Sequence, residues 1–179
     1  MLRAIVALGV SAMDSYFHDV VLEYAPRLML AFSEGSCSAP GKLLDELKGE
    51  FTPVKSLQLL GKRRKEEALR HMVQNLIRER TFQSPGEIEN ALKLIGVNDF
   101  WEALRIRLSL RTKKRAKEYV QKYVTRRHQI VHEADTFKSK KHHDTLRPIS
   151  KPYTRDCVRR VERFVALIHS VIDKGNAVR

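Results

Sequence analysis

"KEYVQKYVTRRHQIVHEA", residues 117–134, decides how this chain folds. Placed at 100° per residue, Val120, Val124 and Val131 fall in one narrow sector, which is the period of a helix and not of a strand. Arg127 falls in the same sector. An arginine on an apolar stripe needs a partner, because burying an unpaired charge costs about 3 kcal/mol or more. His128 and His132, at i and i+4, stand together along one edge of that sector.

Outward from this segment, the rest of the chain also reads as helices. A first helix runs from about Arg3 to Tyr24, with Ile5, Leu8, Ala12, Tyr16 or Phe17, Val20 and Tyr24 at helical steps, and Pro26 interrupts it before the short apolar piece "RLMLAF". "SEGSCSAPG" is a loop, and "KLLDELKGE" a short helix. A long helix starts at "TPVKSLQLLGKRRKEEALRHMVQNLIRER", with Thr52 as N-cap and Pro53 at its first position. "SPGEIENALKLIG" carries Ser84 as N-cap, Pro85 at N1 and Glu87 three residues on, and stops at Gly96. "NDFWEALRIRLSL" takes Asn98 as N-cap, and its Phe100 and Trp101 read as core residues.

The decisive helix spans about Thr112 to Ala134, and a last one about Thr154 to Lys174. Between them lies a basic loop, residues 135–153. No segment alternates with period two for long, and there is no internal repeat. The expected fold is all-α: an up-and-down helical bundle with two long antiparallel helices, a long C-terminal helix and shorter connecting helices.

The chain has 179 residues, 42% of them hydrophobic, which suits a single domain over residues 1–179. Its pattern begins almost at Met1 with no capping residue, so the reading allows for a piece of a longer chain. Charge is the outlier: 34 Lys and Arg against 21 Asp and Glu give a net charge of +13. That balance favours a polyanionic partner, first of all nucleic acid. Two cysteines without a CxxC pattern fit a reducing, cytoplasmic compartment. "MLRAIVALGVSAM" mimics a signal peptide, but its helical pattern continues into "DSYFHDVVLEY" with charges in register. No run reaches the ~18 apolar residues that a membrane span needs.

A guanidinium with one or two imidazoles is a workable set for cleaving RNA without metal. The ribose 2′-hydroxyl already stands beside the phosphate, so the site needs a proton acceptor, a proton donor and stabilisation of added negative charge. Histidine serves either proton role near neutrality. Arginine matches a phosphate bidentately and stays charged. The bare spacing is cheap in so basic a chain and recurs from Arg64 to His71 and from Arg163 to His169. Only the Arg127 version has a polar residue directly after the arginine and two aliphatics, Ile130 and Val131, directly before the histidine.

"RRHQIVHE" resembles the Arg-polar-x-aliphatic-aliphatic-His signature of the HEPN superfamily, whose members are small helical bundles. "VSAMDSYFHDVV", "FQSPGEIENALKLIGVNDFW" and "RRHQIVHEAD", in that order, resemble its RiboL-PSP-HEPN branch from about residue 5 to about residue 172. The resemblance implies a homodimer with the motif helices facing across one composite cleft, and metal-independent endoribonuclease activity with Arg127 and His132 essential. Asparagine often follows the motif arginine in relatives; here it is His128, so the division of proton transfer between His128 and His132 stays open. Some members only bind RNA, nucleotides or protein partners, and a non-catalytic helical binding module is the alternative reading. A third is a structural dimer in which Arg127 only balances a buried acid.

Arg126, Lys138, Lys140, Lys141 and Arg147, in and around the basic loop, are the candidate RNA-binding residues. Asp14 is the first choice of acid to pair with the buried arginine, ahead of Asp19 and Glu23, and Glu133 is a second supporting residue. "KRRK" at 62–65 and "RTKKRAK" at 111–117 matter if they line the same cleft. Zinc on His128 and His132, with Glu133 or the "HHD" at 142–144, lacks a cysteine pair or HExxH pattern, so no metal and no cofactor is expected. RNA, a second copy of the chain and a cognate antitoxin or regulatory protein are the expected partners, with no membrane.

Overall fold

Pro26 does not end the first helix: α1 runs without a break over Leu2–Ser33. A proline inside a helix lacks the N–H for one ladder bond and costs about 3 kcal/mol. Here it is buried, with Ala25 and Met29 buried beside it, and that packing offsets the missing bond. The computed structural model describes residues 1–49, 52, 63–137 and 145–176, with side chains as far as 172. After α1 come α2 (Gly41–Leu47), α3 (Lys65–Ile77), α4 (Pro85–Leu94), α5 (Phe100–Arg107), α6 (Lys113–His132) and α7 (Lys151–Asn176). Among the described residues there is no strand, only an isolated bridge between Thr136 and Leu146. The all-α expectation holds.

One of the expected caps is present, and a second forms at the residue read as the start of its helix. The Ser84 hydroxyl accepts from the Glu87 N–H at 3.2 Å to start α4, and Thr112 accepts from the Arg115 N–H at 3.2 Å to start α6. The cap of α5 is Asp99, one residue after the expected Asn98, in a left-handed conformation and without a side-chain bond. Helix α7 starts at Lys151, three residues early, with the Ser150 hydroxyl accepting from the Tyr153 N–H. The start of α3 cannot be set against Thr52 and Pro53, since residues 53–62 lie outside the described residues.

Side-chain pairs fix the directions. Arg3 meets Asp135 just beyond α6 and the Arg147 carbonyl just ahead of α7, while Phe17 meets Phe164 within α7, so α1 runs in the direction of α7. Lys122 and Tyr123 meet Asp156, while Arg160 covers Tyr119, so α6 and α7 are antiparallel. Arg27 pairs with Glu66 at the start of α3, and Asp14 bonds the Phe82 N–H beyond its end, so α3 also runs against α1. The result is an up-and-down bundle around α1, whose inner face, Val6, Val10, Met13, Phe17 and Val21, is buried. By length and composition alone α1 would pass as a membrane span, although charges interrupt its apolar run.

Phe17, Phe100 and Trp101 all stand within 6.5 Å of the Phe164 ring, between centroids. Phe100 and Trp101 are thus core residues, as their spacing implied. The carboxyl of Asp156 ties α6 to α7: it accepts from Tyr123, Arg160 and Lys122, which together hold it down at about 2. Burial and that same hydrogen bond push the Tyr123 phenol up. Cys157 is fully buried beside it, and burial raises its thiol to about 11. Cys37, the other free cysteine, is partly exposed, with its thiol 3.6 Å from the Leu28 carbonyl.

Candidate functional site

Helix α6 leaves the core as it proceeds. Its buried residues, Ala116, Val120 and Tyr123, all lie in its first eleven positions. Val124 and Arg127 are only partly covered, and Val131, on the same sector, is 48% exposed. The stripe that the spacing predicts is real, but from Arg127 to His132 no side chain of the helix is fully buried among the described residues. The motif therefore sits where an inward-facing sector becomes outward-facing.

At that point the guanidinium and an imidazole meet. Arg127 Nη1 lies 3.2 Å from His132 Nε2. A guanidinium can only donate, so a hydrogen bond here assigns the lone pair to Nε2 and the ring proton to Nδ1. The His128 ring stands 4.8 Å from the His132 ring, between centroids and tilted by 43°. Both histidines are exposed. The inner nitrogen of Arg127, Nε, is buried without a hydrogen-bond partner among the described residues. Glu133 approaches His128 Nε2 at 3.9 Å and Arg147 at 4.0 Å.

The acid chosen for Arg127 is elsewhere. Asp14 accepts from the Phe82 N–H at 2.5 Å and from Gln83 at 3.0 Å, so it fixes the chain between α3 and α4. It faces inward from α1 toward unbonded backbone, which an aspartate satisfies as readily as it does a cation.

Arg126, read as an RNA contact, is instead a partly buried tie. Its Nη2 donates to Asp135 Oδ2 at 2.9 Å and to the carbonyls of Arg147 and Pro148 at 3.2 and 3.1 Å. Arg3 donates to the same Oδ2 at 2.5 Å and to the Arg147 carbonyl at 2.8 Å. Arg147 is also engaged: its Nε donates to the Thr136 carbonyl and its guanidinium covers the Phe137 ring. Both arginines are occupied within the chain, which corrects their reading as free phosphate contacts. Lys138, Lys140 and Lys141 lie outside the described residues, as do His142, His143 and Asp144.

Asp135 is the residue that sequence reasoning passed over, although it closes the quoted stretch "RRHQIVHEAD". Arg3 was the available signal, a lone cation in an otherwise uncharged run from Met1 to Met13.

The other basic runs do not line this site. Arg63, Arg64, Lys65 and Arg70 border a cavity of about 620 Å³ beside Leu30. At 1.5 Å per residue, that is about 40 Å along α1 from Arg3. Lys113, Arg115 and Lys117 pair with Asp99, Glu118 and Glu89 at the opposite end of α6. Among the described residues, no group of three or more His, Cys, Asp or Glu side chains is placed to hold a metal ion.

Fold and site together define an all-α bundle with an exposed Arg–His–His cluster at one helix end. Comparison with protein-family models, with curated proteins and with solved structures finds no match.

Proposed function

We propose that the chain is a HEPN-type endoribonuclease that cleaves RNA without a metal ion. The observation that carries the reading is the 3.2 Å approach of Arg127 Nη1 to His132 Nε2 at a solvent-facing helix end, with His128 beside it. The resemblance of "RRHQIVHE" to the superfamily signature supports it, and so does a net charge of +13, which suits a polyanionic substrate. The contact lies on the motif copy that carries the polar residue and the two aliphatics.

In this reading His132 Nε2 takes the proton of the ribose 2′-hydroxyl as its oxygen attacks the adjacent phosphorus. The bond to the 5′ oxygen breaks, and the imidazolium form of His128 returns a proton to that oxygen. The products are a 2′,3′-cyclic phosphate and a 5′-hydroxyl. Arg127 turns from His132 to the phosphate, where its two outer nitrogens meet the charge that develops on the equatorial oxygens. An acid and a base that exchange roles give a bell-shaped dependence of rate on pH.

Exposure of both histidines leaves the reacting groups open to water in a single copy. A second copy packed over Val131 would close the cleft, in keeping with the homodimer that the resemblance implies. The biological setting in this reading is cytoplasmic: a toxin–antitoxin, anti-phage or stress response, with a cognate antitoxin or regulatory protein as further partner.

The test is cleavage of RNA in EDTA by the wild type, Arg127→Ala and His132→Ala. We expect wild-type cleavage and a loss of about 1000-fold or more in each variant, the scale of losing a catalytic proton-transfer or charge-stabilising group. The same exposure favours one rival, a module that binds RNA in this place without cutting it. Tight, salt-dependent binding by the wild type, weakened in Arg127→Ala and with no new 5′-hydroxyl ends, would establish that rival.

A further inference from the structure

The geometry points to Asp135 as the positioning residue that sets where His132 stands. This rests on the reading of the Arg127–His132 pair given above. Asp135 is 1% exposed. Its Oδ2 receives Arg3 and Arg126, its backbone carbonyl receives the Arg147 N–H at 2.7 Å, and its own N–H returns to the Gln129 carbonyl at 2.9 Å. One buried residue thus joins the start of α1, the last turns of α6 and the chain leading into α7. Arg126 completes the tie from the position directly before Arg127.

The backbone here is held in an unfavourable form. Ala134 and Asp135 have φ of 50° and 57°, the only two consecutive non-glycine residues at positive φ among the described residues. Such conformations persist only where the surroundings over-determine them, and they cluster at functional sites. The strained pair begins two residues after His132. Glu133 and Asp135 both donate their N–H groups to the Gln129 carbonyl, so the turn is pulled back onto the helix turn that bears His128 and His132.

Within this tie, Asp135 Oδ1 is buried without a hydrogen-bond partner among the described residues. Folding alone gains nothing from that unmet acceptor, whereas a carboxylate is what two converging arginines require. Without the negative charge, Arg3 and Arg126 repel across the gap, the turn relaxes, and His132 loses its register against Arg127. A misplacement of about 1 Å in a reacting group costs about 100-fold in rate.

The experiment compares Asp135→Asn, Arg3→Met, Ala134→Gly and His132→Ala with the wild type in the full chain. It reads kcat and KM on RNA, the melting temperature, and the ¹⁵N shifts of the His132 ring. For Asp135→Asn we expect KM within about twofold of wild type and kcat lower by about 100-fold. The His132 nitrogens should leave the single Nδ1-protonated tautomer for a mixture. Ala134→Gly should keep wild-type kcat, since glycine accepts the same turn.

Should Asp135→Asn fail to fold at the assay temperature, Arg3→Met carries the test, with kcat about tenfold lower at unchanged KM. A folded Asp135→Asn or Arg3→Met with wild-type kcat overturns the proposal. So does a loss of activity that follows melting while the His132 nitrogens stay as in the wild type. If the wild type produces no more 5′-hydroxyl ends than His132→Ala, the nuclease reading fails by itself. The ring-nitrogen shifts then decide the positioning of His132 alone: altered in Asp135→Asn upholds it, unaltered overturns it.

Discussion

Replacing Arg126 by methionine would leave Asp135, 1% exposed, with Arg3 as its remaining guanidinium. Removing one partner from a buried pair costs about 3 kcal/mol. Arg127→Met should behave differently, changing stability by no more than about 0.5 kcal/mol, because the buried Nε has no bond to lose and the contact to His132 is exposed. Urea unfolding of the two variants checks the contrast. Equal, large losses would revive a purely structural Arg127. The sequence made Arg127 conspicuous through its place on an apolar stripe, and it singled out His132 through what precedes it. It could not separate the duties of neighbours. Arg126 and Arg127 differ by 100° around the helix, and only the fold decides which one turns to a buried acid. Asp14 was misassigned for the same reason: a carboxylate on an inner helix face reads alike whether it meets a cation or an N–H.

Most helices were legible because each carries its own punctuation. Ser84 caps α4 as its position implies, α6 starts at the Thr112 boundary, and Gly96, at φ 78°, follows the end of α4. Pro26 misled because a breaker's effect is local while the burial that overrides it is tertiary. The union of α6 with α7 through Asp156 gives a test at this scale. The Tyr123 hydroxyl, with Arg160 and Lys122, lowers the Asp156 carboxyl from 3.8 to about 2. A group depressed in the folded state contributes stability above its unfolded value, and that contribution fades as pH falls from about 4 toward about 2. Wild-type urea midpoints should therefore drop more steeply between about pH 5 and about pH 2.5 than those of Asp156→Asn. Parallel curves for the two proteins would remove Asp156 from the acid sensitivity of the fold.

Across the whole molecule, the charge of +13 is unevenly employed. Arg3 and Arg126 are spent on Asp135, while Arg63, Arg64, Lys65 and Arg70 gather about 40 Å away along α1, at 1.5 Å per residue. Composition announces such a surplus but not its layout, which follows from helix directions set by core contacts. If RNA is the ligand, log Kd for a labelled single strand should rise linearly with log salt between about 50 and about 200 mM. A flat response, read by fluorescence anisotropy, would separate the surplus charge from RNA binding. The two cysteines divide this length as well. Cys157 is sealed in the core with its thiol raised to about 11, and Cys37 is partly open beside Leu28. A maleimide fluorophore should therefore couple at Cys37 alone, giving every molecule one beacon at the end remote from His132. When two labelled copies associate, energy transfer between those beacons would report whether they join head to head or tail to tail.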